Sequence, residues 1–282
     1  MLKIAVPNKG SLSDVSLDLI KKAGYSCKRS GKELSVVDKK NEIEFIYLRP
    51  RDIAIYVSKG ILELGITGRD LAIDSKSSVC ELLGLGIGKS RFFYAAPKEL
   101  DITPEDLEGK RIATSYPNVV LHDLAKRGVS AEVVELDGAI EISIRLGVAD
   151  AIADVVESGR TLTAAGLKTI GEPIMESEAA VVAKNESIME NEQVRLFIER
   201  LRGIIVAREY AIIEYDVPEE KLEDACKITP GIESPTVSPL SRQGWMAVKA
   251  MLPRKKINPA IDQLAELGAK GIIVTHIQTC RI

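Results

Sequence analysis

At 282 residues the chain is long enough for two or three compact units that each bury a core. Its 45% apolar and 28% charged usage is that of a soluble globular protein, with no apolar run of bilayer-spanning length. A net charge of -3 with interspersed signs, and only 4% aromatic residues, exclude a broad basic face with stacking rings for a polynucleotide, so a small anionic substrate fits better.

The opening MLKIAVPNKG lacks the long apolar core and small-residue cleavage site of an export signal, and a cytoplasmic protein without membrane or nucleic-acid partners is expected. Residues 3–6 read as a strand, Pro7-Asn8 as a turn, and the following segment to Gly24 as a helix. The same order returns at 111–114, Pro117-Asn118 and a helix ending at Gly128. A second echo links 52–71 with 141–162: a helix closed by glycine, a short strand, then a glycine-bearing loop that opens another helix. Two similar α/β lobes predict a cleft, because parallel strands deliver their loops to one edge of each sheet. The run 84–100 is expected to be a strand passing between the lobes and 171–186 a return crossing, an arrangement that fits a hinge. A single doubly wound domain also accommodates the pattern.

In NEQVRLFIERLRGII, Val194, Phe197, Ile198 and Leu201 fall at helical spacing, which predicts a helix packed on the first lobe. Beyond it, 211–215 reads as a strand, 218–227 as a helix with Pro218 in its first turn, and 234–238 as an extended piece. A strand over 245–252, a helix over 257–267 and a strand over 271–277 complete a βαββαβ order, which is ferredoxin-like. The expected division is 1–90 with 184–209 for lobe I, 91–183 for lobe II and 210–282 for the C-terminal domain. The four cysteines, Cys27, Cys80, Cys226 and Cys280, lie far apart without a CxxC, which argues against a zinc site or a dithiol pair.

The stretch ADVVESGRTL, residues 153–162, carries the most chemistry. It reads as strand, tight turn and helix start, and unpaired N–H groups at a helix start suit an anion, usually a phosphate. In phosphoribosyl-binding loops an acid at the strand end holds the ribose hydroxyls while hydroxyls and amides surround the 5′-phosphate. Asp154, four positions before Ser158 and seven before Thr161, has that spacing. Gly159 lets the backbone close round the anion. An ordinary N-cap by Ser158 or Thr161 also fits this stretch taken alone.

The run Glu141, Gly147, Ala149, Ile152, Asp154 and Ser158-Gly159-Arg160-Thr161-Leu162 resembles the signature of the ATP phosphoribosyltransferases, which catalyse the first step of histidine biosynthesis. The likeness continues through PNKGSL, ELGITGRDL, RIATSYPN, ITPGIESPTVSPL and WMAVKAMLPRK, and so covers essentially the whole chain. It implies a two-lobed, periplasmic-binding-protein-like α/β catalytic region followed by a ferredoxin-like regulatory domain, as in the family's long form. It also implies transfer of the phosphoribosyl group of phosphoribosyl pyrophosphate (PRPP) to N1 of the adenine of ATP, with Mg2+ accompanying the phosphates.

Residue by residue, the resemblance places PRPP on Asp154, Glu157, Ser158, Gly159 and Thr161, and ATP or pyrophosphate on Lys9, Arg49, Asp70 and Leu71 with Tyr116 near the purine. Read singly, Lys9 and Arg49 also fit solvated surface charges, Asp70 a helix cap and Tyr116 a lobe-core aromatic. Ala153 stands where phosphoribosyltransferases of another fold class carry a second acid, so a two-acid grip from this loop alone is unavailable. Glu141 reads as structural, and neither His122 nor His276 has a context for acid or base work. The resemblance further implies histidine as a feedback inhibitor, with Asp216, Ser234 and Thr236 supplying partners for its ammonium and carboxylate, and homo-oligomers from dimer to hexamer. The competing expectation from another class is a non-catalytic two-lobed binding module.

Overall fold

The computed structural model describes residues 1–31, 33–156 and 159–281. Its backbone forms two compact units, Met1–Ile198 and the chain from Glu199 onward.

The first unit begins with β1 (Leu2–Pro7), α1 (Ser11–Lys22), β2 (Ser35–Asp38), β3 (Ile43–Leu48), α2 (Pro50–Ser58), β4 (Leu64–Gly68), α3 (Arg69–Asp74) and β5 (Cys80–Gly84). Ile4, Ala5 and Val6 of β1 are all buried, as a parallel strand covered on both faces requires. In β3 the alternating Ile43, Phe45 and Tyr47 are buried. Pro50 opens α2 at the position where a missing N–H costs nothing. Lobe I is a six-stranded sheet in the order β2-β3-β1-β4, followed by a later strand and then β5.

Lobe II follows as β6 (Ser90–Pro97), β7 (Arg111–Thr114), α4 (Pro117–Arg127), β8 (Glu132–Glu135), α5 (Ile142–Arg145), β9 (Ala151–Val156), α6 (Arg160–Ala164) and β10 (Leu167–Ser177). Its five-stranded sheet has the order β10-β6-β9-β7-β8. Phe92, Tyr94, Ile112, Val120 and Leu124 form the core between that sheet and α4. The chain returns through β11 (Ala179–Ala183), which lies between β4 and β5, and continues into α7 (Glu192–Glu209).

The internal repeat extends to strand order. β3-β1-β4-β11-β5 in one lobe corresponds to β8-β7-β9-β6-β10 in the other, and the antiparallel insertions, β11 and β6, are the strands that arrive from the opposite lobe. Paired crossings between two such lobes make the arrangement periplasmic-binding-protein-like.

Three expectations on boundaries are corrected. The outward crossing is not one strand over 84–100: β5 ends at Gly84 in one sheet and β6 starts at Ser90 in the other. The return crossing falls at Glu178, because β11 belongs to the lobe I sheet rather than to a lobe II ending at 183. The compact first unit ends at Ile198 rather than 209, inside α7, whose later half carries the Gly203 carbonyl that accepts the Cys280 N–H at 3.0 Å. No break in helical pattern marks that change of allegiance. Val194, Phe197 and Ile198 of its first half are buried, with Phe197 5.2 Å from the Tyr25 ring.

The second unit holds β12 (Tyr210–Pro218), α8 (Leu222–Ile228), β13 (Thr236–Pro239), β14 (Trp245–Pro253), α9 (Arg254–Leu267) and β15 (Lys270–His276). Its antiparallel sheet, β13-β14-β12-β15, has the ferredoxin-like order. Alternate residues Ala211, Ile213, Tyr215 and Val217 of β12 pack with Val248, Ala250 and Leu252 of β14 and with Ile257, Ala260 and Leu264 of α9. Pro218 corrects a further expectation: it is the last residue of β12, paired with Trp245 and extended at ψ 137°, so the helix starts only at Leu222 after a 3-10 turn. The four cysteines are free thiols. Among the described residues no helix is long and apolar enough to cross a membrane.

Candidate active site

Lys9, Arg49 and Asp70 follow the carboxyl ends of the parallel strands β1, β3 and β4 in lobe I, while in lobe II Tyr116 follows β7 and Asp154 lies in the carboxyl half of β9. That edge is where open α/β sheets collect ligands. The β1 and β3 loops are tied together, since Asn8 donates its N–H to the Leu48 carbonyl at 2.8 Å. Lys9 and Arg49 are exposed there, while Leu71 is buried in lobe I.

In lobe II, Asp154 on β9 and the α6 turn enclose a cavity of about 220 Å³ lined by Glu141, Asp154, Val155, Gly159, Thr161 and Leu162. Gly159 has φ 70°, the left-handed conformation that glycine adopts without strain. It caps α6, and Thr161 is exposed in that helix's first turn. Glu157 and Ser158, expected on the same loop, lie outside the described residues. Burial raises the Asp154 carboxyl above its ordinary range, with the negative charges of Glu141 and Asp70 adding to the effect; the Val155 N–H and Arg51 oppose it. Glu141, read from the sequence as structural, lines the same cavity as Asp154.

Asp70, from lobe I, is buried at 7% exposure. Its Oδ1 accepts the Ser177 hydroxyl at 2.8 Å, and its N–H donates to the same Ser177 oxygen at 3.0 Å, which fixes the carboxylate to the return crossing. A Cβ on Gly68 would collide with that carboxylate, so the residue before α3 must be small. Tyr116 faces it from lobe II: burial raises the phenol, and the Asp70 charge and a hydrogen bond to Asp70 reinforce the shift. The Tyr116 ring packs edge-on to Phe92 at 5.2 Å, and the Arg51 guanidinium sits 4.7 Å above its centre. The structure thus brings Asp70, Tyr116, Arg51, Asp154 and Glu141 to one cleft. Arg51 and Ser177 were not anticipated; Arg51 shares the RPRD run with Arg49, whereas nothing local to Ser177 points to its partner 107 residues away.

In the second unit, Asp216 and Thr236 line a hollow of about 470 Å³ on the sheet face, together with Glu214, Ser238, Lys249 and Gly271. Ser234 is exposed outside it, its hydroxyl donating to the Pro235 carbonyl at 3.3 Å. His122 is exposed on α4, and His276 Nδ1 lies 2.8 Å from Arg254 Nη1.

Two α/β lobes joined by paired crossings, with an acid and a glycine-capped helix start in one and exposed cations in the other, suit an enzyme for small phosphorylated substrates. The sequence matches the family model for ATP phosphoribosyltransferase over residues 49–203 and that for the HisG C-terminal domain over 207–279. The ATP phosphoribosyltransferase of Salinibacter ruber is 59% identical over the full length of both chains, and that of Corynebacterium diphtheriae is 54% identical, again over the full length of both. A chain of the ATP phosphoribosyl transferase (HisG:HisZ) complex from Thermotoga maritima superposes with a TM-score of 0.64 at 30% identity, covering 99% of that chain and 73% of this one. The chain belongs to the ATP phosphoribosyltransferase family, with the long form's added C-terminal domain.

Proposed function

We propose that this cleft transfers the phosphoribosyl group of PRPP to N1 of the adenine of ATP, releasing pyrophosphate, as the first step of histidine biosynthesis. The observation that carries the assignment to residues is the cavity in which Asp154 and Glu141 face the Gly159–Thr161 turn. Asp154 accepts from the ribose hydroxyls, and the amides and hydroxyl at Gly159 and Thr161 hold the 5′-phosphate. Lys9 and Arg49 receive the pyrophosphate, and Asp70, Leu71 and Tyr116 border the purine.

The lone pair of adenine N1 forms the bond to C1 of the ribose while the C1–oxygen bond breaks and its electron pair leaves on pyrophosphate. Positive character grows at C1 and negative charge on the leaving group, so the fixed anions beside the sugar and the fixed cations on the opposite wall both lower the barrier. N1 is neutral and weakly nucleophilic, and holding it in line with C1 is a large share of the rate enhancement. No side chain is needed as a base, because a proton lost from the adenine amino group can pass to water or phosphate.

Magnesium fits this site. Asp154 and Glu141 place two carboxylates together with an excess of negative potential, and Mg2+ usually takes one or two carboxylates plus substrate phosphates and water. Bound there, it would neutralise charge on the departing pyrophosphate.

In the C-terminal domain we place histidine as a feedback inhibitor, its ammonium on Asp216 and its carboxylate on the Thr236 hydroxyl, with Ser234, exposed outside that hollow, taking no part. Assembly as a homo-oligomer, from dimer to hexamer, and residence in the cytoplasm complete the proposal.

The test is turnover with ATP, PRPP and Mg2+, followed by pyrophosphate release and by the absorbance of a 1-substituted adenine. Steady turnover in the wild type that falls by one to two decades in Thr161→Ala, about the 1.5–3 kcal/mol of a charge-assisted hydrogen bond, supports the reading. Binding of both substrates without turnover would show a binding module instead.

A further inference from the structure

One carboxylate in the cleft has no part in the mechanism above. Asp74 ends α3 in lobe I and is buried at 7% exposure. Its Oδ1 accepts the backbone N–H of Asn118 at 2.9 Å and of Val119 at 3.4 Å, and its own carbonyl accepts the Asn118 side-chain amide at 2.6 Å. Those two N–H groups belong to the first turn of α4 in lobe II, where the N-cap residue, Tyr116, makes no side-chain capping bond. Helix starts leave such N–H groups without partners and favour a negative charge. Here the cap comes from the other lobe, 44 residues back in the chain. The second carboxylate oxygen lies 3.2 Å from Arg51 Nη1, and that guanidinium rests on the Tyr116 ring.

We propose that Asp74 is a positioning residue that assembles the purine side of the cleft when the lobes close. A single carboxylate caps α4, so the backbone of Tyr116 is set at the helix start. It also anchors Arg51, so the ring of Tyr116 is covered. The cap on α4 and the covering of the Tyr116 ring by Arg51 both cross between the lobes and are lost on their separation, whereas the Asp74–Arg51 pair lies within lobe I. The Asp154–Thr161 wall, by contrast, is built wholly within lobe II and does not depend on Asp74. This inference rests on the reading of Tyr116 as a purine neighbour, and the hydrogen-exchange measurement below tests the cap without reference to that reading.

The experiment uses the full chain with Asp74→Ala and Asp74→Asn. In Asp74→Ala the KM for ATP rises about tenfold, the size of a lost cap. PRPP affinity, measured by calorimetry without ATP, stays within twofold of wild type. Amide exchange in the peptide holding Asn118 and Val119 accelerates. Asp74→Asn retains an acceptor for the cap and loses the charge that holds Arg51, so its exchange stays close to wild type while its KM for ATP is intermediate. Equal weakening of ATP and PRPP, or faster exchange with an unchanged KM for ATP, would reduce Asp74 to a stabilising cap and overturn the proposal. Unchanged exchange in Asp74→Ala would overturn the cap itself. A wild type that binds ATP but does not turn over would defeat the proposed reaction, while the exchange result would still decide the interlobe cap.

Discussion

Replacing Ser177 by alanine removes a hydroxyl that makes two bonds to one residue at the return crossing. Its oxygen accepts the Asp70 N–H at 3.0 Å and its proton goes to the Asp70 carboxylate at 2.8 Å, and both residues are buried. A bond to a charged group contributes about 1.5–3 kcal/mol and a neutral one about 0.5–1.5 kcal/mol, so the pair amounts to about 2–4.5 kcal/mol. For a unit the size of Met1–Ile198 each kcal/mol shifts the midpoint by about 2–4 °C, so Tm falls by at least about 4 °C. Differential scanning calorimetry of the apo protein measures this. A cycle with Asp70→Asn then separates the coupling from the rest, and the two substitutions should combine to far less than their separate effects. Because Asp70 faces Tyr116, the KM for ATP should rise in the same variant. A Tm within about 1 °C of wild type, or strict additivity in the cycle, would refute the claim that this hydroxyl anchors the carboxylate.

Three further outcomes follow from the same geometry. In Gly159→Ala the new Cβ has room, its nearest neighbour lying 3.9 Å away on Val156, so only the left-handed backbone resists; about 1–2 kcal/mol of strain should weaken PRPP binding roughly fivefold to thirtyfold by calorimetry. Burial first, and nearby acids second, raise Asp154 above its ordinary 3.8, so the stability it contributes is present below that value and is lost as the pH climbs through the raised one. Asp154→Asn should therefore make the apo protein progressively more stable than wild type as the pH moves from acid toward neutrality, read from urea midpoints across pH, while turnover falls. Asp216→Asn should raise the histidine concentration needed for half-inhibition by an order of magnitude or more and leave uninhibited turnover within about twofold, since the charge-assisted bond removed, about 1.5–3 kcal/mol, belongs to the second unit.

Much of the architecture was legible because it is written in local patterns. Periodicity and Gly-Pro punctuation mark the strand–turn–helix units at 3–24 and 111–128, and their recurrence announces two lobes before any contact is known. The grouping of Asp154, Gly159 and Thr161 at one cavity was readable for a related reason: they sit within eight residues on a strand, turn and helix start. What eluded sequence reasoning is long-range. Glu141 lines the cavity with Asp154 although the two are thirteen residues apart in the chain, a proximity that spacing does not announce. Ser177, Asp74 and Asn118 are ordinary polar residues whose partners lie in other elements, and no local signal marks them. The boundary inside α7 is hidden for the opposite reason, since a continuous helical pattern masks a change in what its residues pack against. Pro218 misled because proline suits both a first helical turn and the end of a strand, and pairing with Trp245 decides for the strand.

The central claim is that the acid at the tip of β9 and the turn after it hold the phosphoribosyl group. The most direct measurement is a crystal structure with PRPP bound. The 5′-phosphate should lie within hydrogen-bonding distance of the Gly159–Thr161 amides, with the ribose hydroxyls on Asp154. A 5′-phosphate seated on Lys9 and Arg49, with the β9 turn empty, would contradict it.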